Sequence, residues 1–150
     1  MASRMAPAAV LLALALLALG CGDDNVSADA VVSVYVAAPL CAEAQREAGR
    51  DREAAAGPEA RVVCLSPART GGGVDLARAG RNARRATEDS TSVAYVESPG
   101  PAAKFTQSIV EAASIAWVET SSGATAMRRV FEALEGDSSS PRQAVLDQVG

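Results

Sequence analysis

Four short apolar runs, each separated from the next by a segment long enough for a helix, constrain this chain more than any other feature. They are Val31–Val36, Ala60–Leu65, Val93–Val96 and Ile115–Val118. Each is apolar at nearly every position rather than at alternate ones, as expected of strands covered on both faces. The segments between them carry helical signals. Residues 40–56 are rich in Ala, Glu and Arg, have a shallow alanine face, and stop at Gly57-Pro58. Residues 66–73 read as a loop with three consecutive glycines, followed by a helix with Leu76, Ala79, Ala83 and Ala86 on one stripe. Ser98-Pro99-Gly100-Pro101 turns the chain into a third helix, with Phe105, Ile109 and Ala112 expected on its inner face. After the fourth strand comes an amphipathic helix with the stripe Met127, Val130, Phe131 and Leu134, ended by Gly136 and the polar residues 137–139. A last helix opens at Ser140-Pro141-Arg142-Gln143, a Ser-x-x-Gln capping box with proline in the first turn. Strands alternating with helices predict an α/β fold, a small doubly wound parallel sheet of about four strands forming a single lobe over residues 31–150. The first three strands are expected in the spatial order 2-1-3.

Upstream, Leu17-Ala18-Leu19-Gly20-Cys21 closes an apolar stretch from Ala8 to Leu19 that carries no charge and follows one cation, Arg4. The stretch is too short to span a bilayer as a helix, which takes ~20 apolar residues. A small residue before a cysteine, with the polar Gly22-Asp23-Asp24-Asn25 beyond it, looks like a lipoprotein signal peptide over residues 1–20 with Cys21 as the lipidated residue. A diacylated Cys21 and a flexible tether over residues 21–30 predict a protein lipid-anchored to the extracytoplasmic face of the cell membrane. The alternatives are an ordinary secretory signal cleaved near Ala18 and a cysteine that is merely buried.

Residues 21–150 hold 13 basic residues (the 14 of the chain less Arg4) against 18 acidic, and no basic stripe is interleaved with aromatics. Nucleic acid is therefore not an expected partner. The chain has no histidine. With the commonest general base and metal ligand missing, and no paired carboxylates or nucleophile motif at a recognisable spacing, neither an enzyme, a cofactor nor a metal site is expected. Export would place Cys41 and Cys64 where disulfides persist, and their pairing is expected to join the loop after the first strand to the second strand. The other reading of Cys64 is a plain buried thiol in an apolar run.

Several segments, in order, resemble the type 1 periplasmic binding proteins, specifically the substrate-binding lipoproteins of branched-chain amino acid ABC transporters. Residues 32–40 (Val-Ser-Val-Tyr-Val-Ala-Ala-Pro-Leu) are similar to the family's first strand and loop, and residues 82–89 before Val93–Val96 to the helix and strand framing its cleft. Residues 126–134 and 142–147 resemble helices near the family's C-terminus. The resemblance implies a periplasmic-binding-protein-like lobe from which the second lobe is missing. It also implies a ligand site after the third and fourth strands, at Ser98, Thr120 and Ser121, for a small polar ligand such as a branched-chain amino acid or amide. Pro101 stands near the family's hydroxyl-bearing position and Glu97 would repel an anion, so binding is expected to be weak. The implied partners are an ABC transporter permease or another membrane protein.

Three further features were weighed. Gly71-Gly72-Gly73 lacks the spacing of a nucleotide-binding loop and reads as a turn. Arg78, Arg81, Arg84 and Arg85 read as a solvated helix face, and Trp117 as core. The alternative to a solute-binding protein is a single-lobe surface lipoprotein that acts as a protein-interaction module with no small-molecule ligand.

Overall fold

A computed structural model describes residues 30–52, 57–71, 73–136 and 140–150. The expectations for the signal peptide, Cys21, most of the tether, the end of the first helix and Gly72 lie outside the described residues. The elements, in chain order, are β1 (Val31–Val36), α1 (Ala38–Asp51), β2 (Glu59–Cys64), β3 (Arg69–Thr70), β4 (Gly73–Val74), α2 (Leu76–Glu88), β5 (Ser92–Glu97), α3 (Ala103–Glu111), β6 (Ala116–Glu119), α4 (Gly123–Leu134) and α5 (Pro141–Val149). Four strands form one parallel sheet in the order β2-β1-β5-β6, and β3 and β4 form a separate antiparallel hairpin. The fold is therefore α/β with a doubly wound four-stranded sheet, as the alternation of elements predicts.

The apolar strand runs are explained by two cores. On one face Val32, Val34 and Val36 of β1, with Ala94, Val96, Ala116 and Val118, pack beneath α1, α4 and α5. On the other, Tyr35, Tyr95 and Trp117 lie with Ile115 beneath α2 and α3, against Ala83, Ala86 and Val110. The stripe Met127, Val130, Phe131 and Leu134 is buried as expected, and α4 crosses α1 closely enough that a Cβ at Gly123 would overlap the Leu40 carbonyl oxygen and lie 3.0 Å from the Ala44 nitrogen.

Several local expectations are corrected. The first helix begins at Ala38, ahead of the expected Leu40, because Pro39 suits the first turn, where no amide donor is needed. Cys41 consequently lies inside α1, and its disulfide to Cys64, with Cα atoms 5.6 Å apart, ties a helix rather than a loop to the end of β2. The glycine-rich loop contains the β3–β4 hairpin, in which Gly73 takes φ +150°. Leu76 is 51% exposed, so the buried stripe of α2 is Ala79, Gly80, Ala83 and Ala86. On α3 the inner face is Ala103, Thr106 and Val110, with Ile109 partly buried against the second core as expected, while Phe105 is 43% exposed and lies over Gly80, and Ala112 is exposed beyond the helix. Thr106 turns inward because its hydroxyl has a buried partner, Glu97. At α5 the Ser140 hydroxyl accepts from the Gln143 amide, as expected of the cap, and the Gln143 side chain donates to Asp147 (2.7 Å).

Candidate functional site

β1 leads through α1 to β2, while its neighbour β5 leads through α3 in the opposite direction to β6. The two adjacent strands therefore part company at their carboxyl ends, and this divergence is the switch point at which open parallel sheets place ligands. A cavity of about 300 Å³ occupies it. Ala37 to Pro39 after β1 form one wall and Glu97 to Ala103 after β5 the opposite one. Ser66 to Arg69, after β2, and Val74 of the hairpin close a side, while Ala79 and Asn82 of α2 and the Tyr95 ring complete the lining.

The walls are small and apolar because alanine and proline dominate these loops. They are held in place by specific bonds. The Asn82 side-chain amide donates to the Ser66 carbonyl (2.8 Å) and the Arg78 guanidinium to the Pro67 carbonyl (3.3 Å), which fastens the loop after β2 to α2. Asp75 caps α2 by accepting from the Arg78 amide (2.9 Å). The Cys41–Cys64 bridge lies just outside the cavity, between the wall that begins α1 and the wall that follows β2.

Glu97 is the chemically distinctive group. It is 8% exposed, at the carboxyl end of β5, and its Oε1 accepts from the Trp117 indole Nε1–H (2.7 Å) and from the Thr106 hydroxyl. Desolvation by burial raises its pKa, partly opposed by those two donors and reinforced by the negative charge of Glu119, its partner in the β5–β6 register. Tyr95, 2% exposed, is raised by burial first and by the Glu97 charge second. Neither the Tyr95 hydroxyl nor the Glu97 Oε2 has a hydrogen-bond partner among the described residues, yet neither is sealed from solvent as the Ser92 hydroxyl is. Both residues line the cavity.

Of the residues expected to hold a ligand, Ser98 lines this cavity, as does Pro101, which was expected to weaken binding. Thr120 and Ser121 follow β6, on the far side of β5 from β1, and are not part of its lining. The Thr120 hydroxyl accepts from the Ser122 amide (3.1 Å), and Ser122 caps α4 by accepting from the Thr125 amide (3.3 Å). The three expected ligand residues are thus split between two strand ends. Trp117 packs at the margin of the second core, as expected, but it also orients Glu97, a role its sequence context does not announce. Comparison with known proteins finds no counterpart: no family model, no curated protein and no solved structure matches the chain.

Proposed function

We propose that this chain is an extracytoplasmic, lipid-anchored solute-binding protein, related to the branched-chain amino acid receptors of ABC transporters, that holds a small molecule weakly at the β1–β5 switch point. The observation that carries the reading is the position and make-up of the cavity: it lies where parallel sheets bind ligands, with a few buried polar groups among apolar walls. The resemblance of residues 32–40, 82–89, 126–134 and 142–147 to type 1 periplasmic binding proteins supports the class. The Gly20-Cys21 junction supports a lipid anchor at Cys21, and a Cys41–Cys64 disulfide accords with an oxidising, extracytoplasmic compartment.

At about 300 Å³ the cavity is at the small end of the ligand-site range, which favours solutes the size of an amino acid or short amide. Only one lobe lines it, so much of a ligand's surface stays wet and dissociation constants near ~1 mM are expected. Ser98 remains a ligand-holding residue in this proposal, and the Thr120 hydroxyl serves the turn into α4.

Titration of the purified protein with leucine, isoleucine, valine and their amides, followed by NMR, tests the reading. Alanine 102 lines the cavity, so Ala102→Leu should fill it and abolish any response. A response that survives Ala102→Leu would place the site elsewhere. Silence across all the solutes would instead favour the interaction-module reading.

A further inference from the structure

Glu97 is a buried acid with no cation beside it. Among the described residues no lysine or arginine lies within ion-pair distance, and the nearest charge acting on it, Glu119, has the same sign. Buried charges are ordinarily paired, since an unpaired one costs several kcal/mol of desolvation. Both protein donors to Glu97, the Trp117 indole and the Thr106 hydroxyl, converge on Oε1. Oε2 and the Tyr95 hydroxyl have no hydrogen-bond partner among the described residues, and both residues line the cavity. The only other charged group on the lining is Arg69, which is exposed at the rim.

From this geometry we infer that the switch-point cavity selects a ligand carrying a protonated primary amine, which reaches the floor and binds Glu97 Oε2, while its short apolar body lies against the alanine and proline walls. Tyr95 adds a hydroxyl that can accept a second N–H from the same ammonium. This inference rests on the cavity being a small-molecule site and names the class of molecule it takes. A carboxylate directed to the same floor would meet a like charge, so an anion is rejected there, and a neutral alcohol of the same shape gains a hydrogen bond without the charge.

The chain supplies its own reporter. Trp117 is its single tryptophan, so the one indole N–H signal in a proton–nitrogen NMR spectrum belongs to the bond it donates to Glu97. The test titrates the protein near neutral pH with three probes of one shape: 3-methylbutylamine, 3-methylbutanol and 3-methylbutanoate. The amine should shift the indole signal saturably and bind about tenfold or more tightly than the alcohol, with the carboxylate weakest. Glu97→Gln keeps an oxygen for the indole to donate to and removes the charge, so amine and alcohol should then bind alike. The ranking in the unaltered protein needs no variant, and it stands if Glu97→Gln fails to fold. Alcohol or carboxylate binding as tightly as the amine would overturn this inference and leave a solute site in the cavity. So would a preference for the amine that persists in a folded Glu97→Gln protein. If none of the three probes moves the indole signal, this inference falls, and the titration with amino acids and amides decides the solute-binding reading separately.

Discussion

Breaking the Cys41–Cys64 bridge should cost this protein a large part of its stability. The two cysteines are 23 residues apart in sequence, and the chain-entropy relation for a closed loop of ~24 residues gives ~3.4 kcal/mol at 25 °C. A domain of this size is stable by only ~5–15 kcal/mol, so the bridge accounts for a sizeable share. With an unfolding entropy of ~2.1 cal/mol/K per residue over ~120 folded residues, the same loss lowers Tm by ~14 °C. The location sharpens the expectation. β2 is an edge strand paired only with β1, and the bridge holds its carboxyl end against α1, so the reduced protein should first loosen there. Urea unfolding of the protein before and after reduction and alkylation measures the effect with no side chain replaced beyond the sulfurs. The midpoint should fall, and the urea dependence should steepen as the unfolded chain loses its cross-link and exposes more surface. Intact mass under non-reducing conditions must show both thiols blocked from alkylation beforehand. A midpoint change worth less than ~1 kcal/mol, or two freely alkylated thiols in the native protein, would refute the reasoning.

Three further outcomes are expected. Asp89 is pushed up by burial but is held at about 2 by hydrogen bonds from Thr91, Tyr35 and Ser33; because this folded value lies below the unfolded one, its contribution of about 2 kcal/mol is present above pH ~4 and lost as pH falls towards ~2. Acid titration of stability should therefore show a shallower loss in Asp89→Asn over that window, and an identical slope would contradict the assignment. Gly123→Ala gains ~1 kcal/mol of helix propensity but drives a Cβ into the Leu40 carbonyl, and overpacking of ~1–3 kcal/mol should win; a urea midpoint at or above that of the unaltered protein would show that α1 and α4 separate easily. Cys21→Ala should release the protein from the membrane pellet on cell fractionation, and equal partitioning of the two would count against the lipid anchor.

The elements that were legible in the sequence are those whose burial is decided by their own pattern. β1, β5 and β6 read as strands because their apolar runs meet helices on both faces, and α4 because Met127, Val130, Phe131 and Leu134 form one wide stripe. α3 is legible as a helix but not in the face it turns inward, for the opposite reason. Phe105, Ile109 and Ala112 have helical spacing, and so do Ala103, Thr106 and Val110; the choice between the two faces falls to Glu97, on another element, which accepts from the Thr106 hydroxyl. A polar residue bought its inward place through a tertiary partner, which no local periodicity records.

The position of the cavity shows the same limit at a larger scale. The alternation of elements implies the order of the first three strands, and that order already places the divergence of connections between β1 and β5. Thr120 and Ser121, expected to hold a ligand together with Ser98, follow β6, where the Thr120 hydroxyl accepts from the Ser122 amide at the turn into α4. The cavity walls are mostly alanines and prolines, whose identity carries no chemistry, and Glu97 reads in sequence only as a group that would repel an anion. Glu97 becomes a buried acid only because Trp117, opposite Tyr95 in the register, reaches diagonally to its carboxylate while α3 closes over it with Thr106. Partners from two other elements, Trp117 of β6 and Thr106 of α3, hold that carboxylate beside the cavity. In the proposed reading, the side chain expected to weaken binding by repelling an anion is the one that decides what the cavity takes.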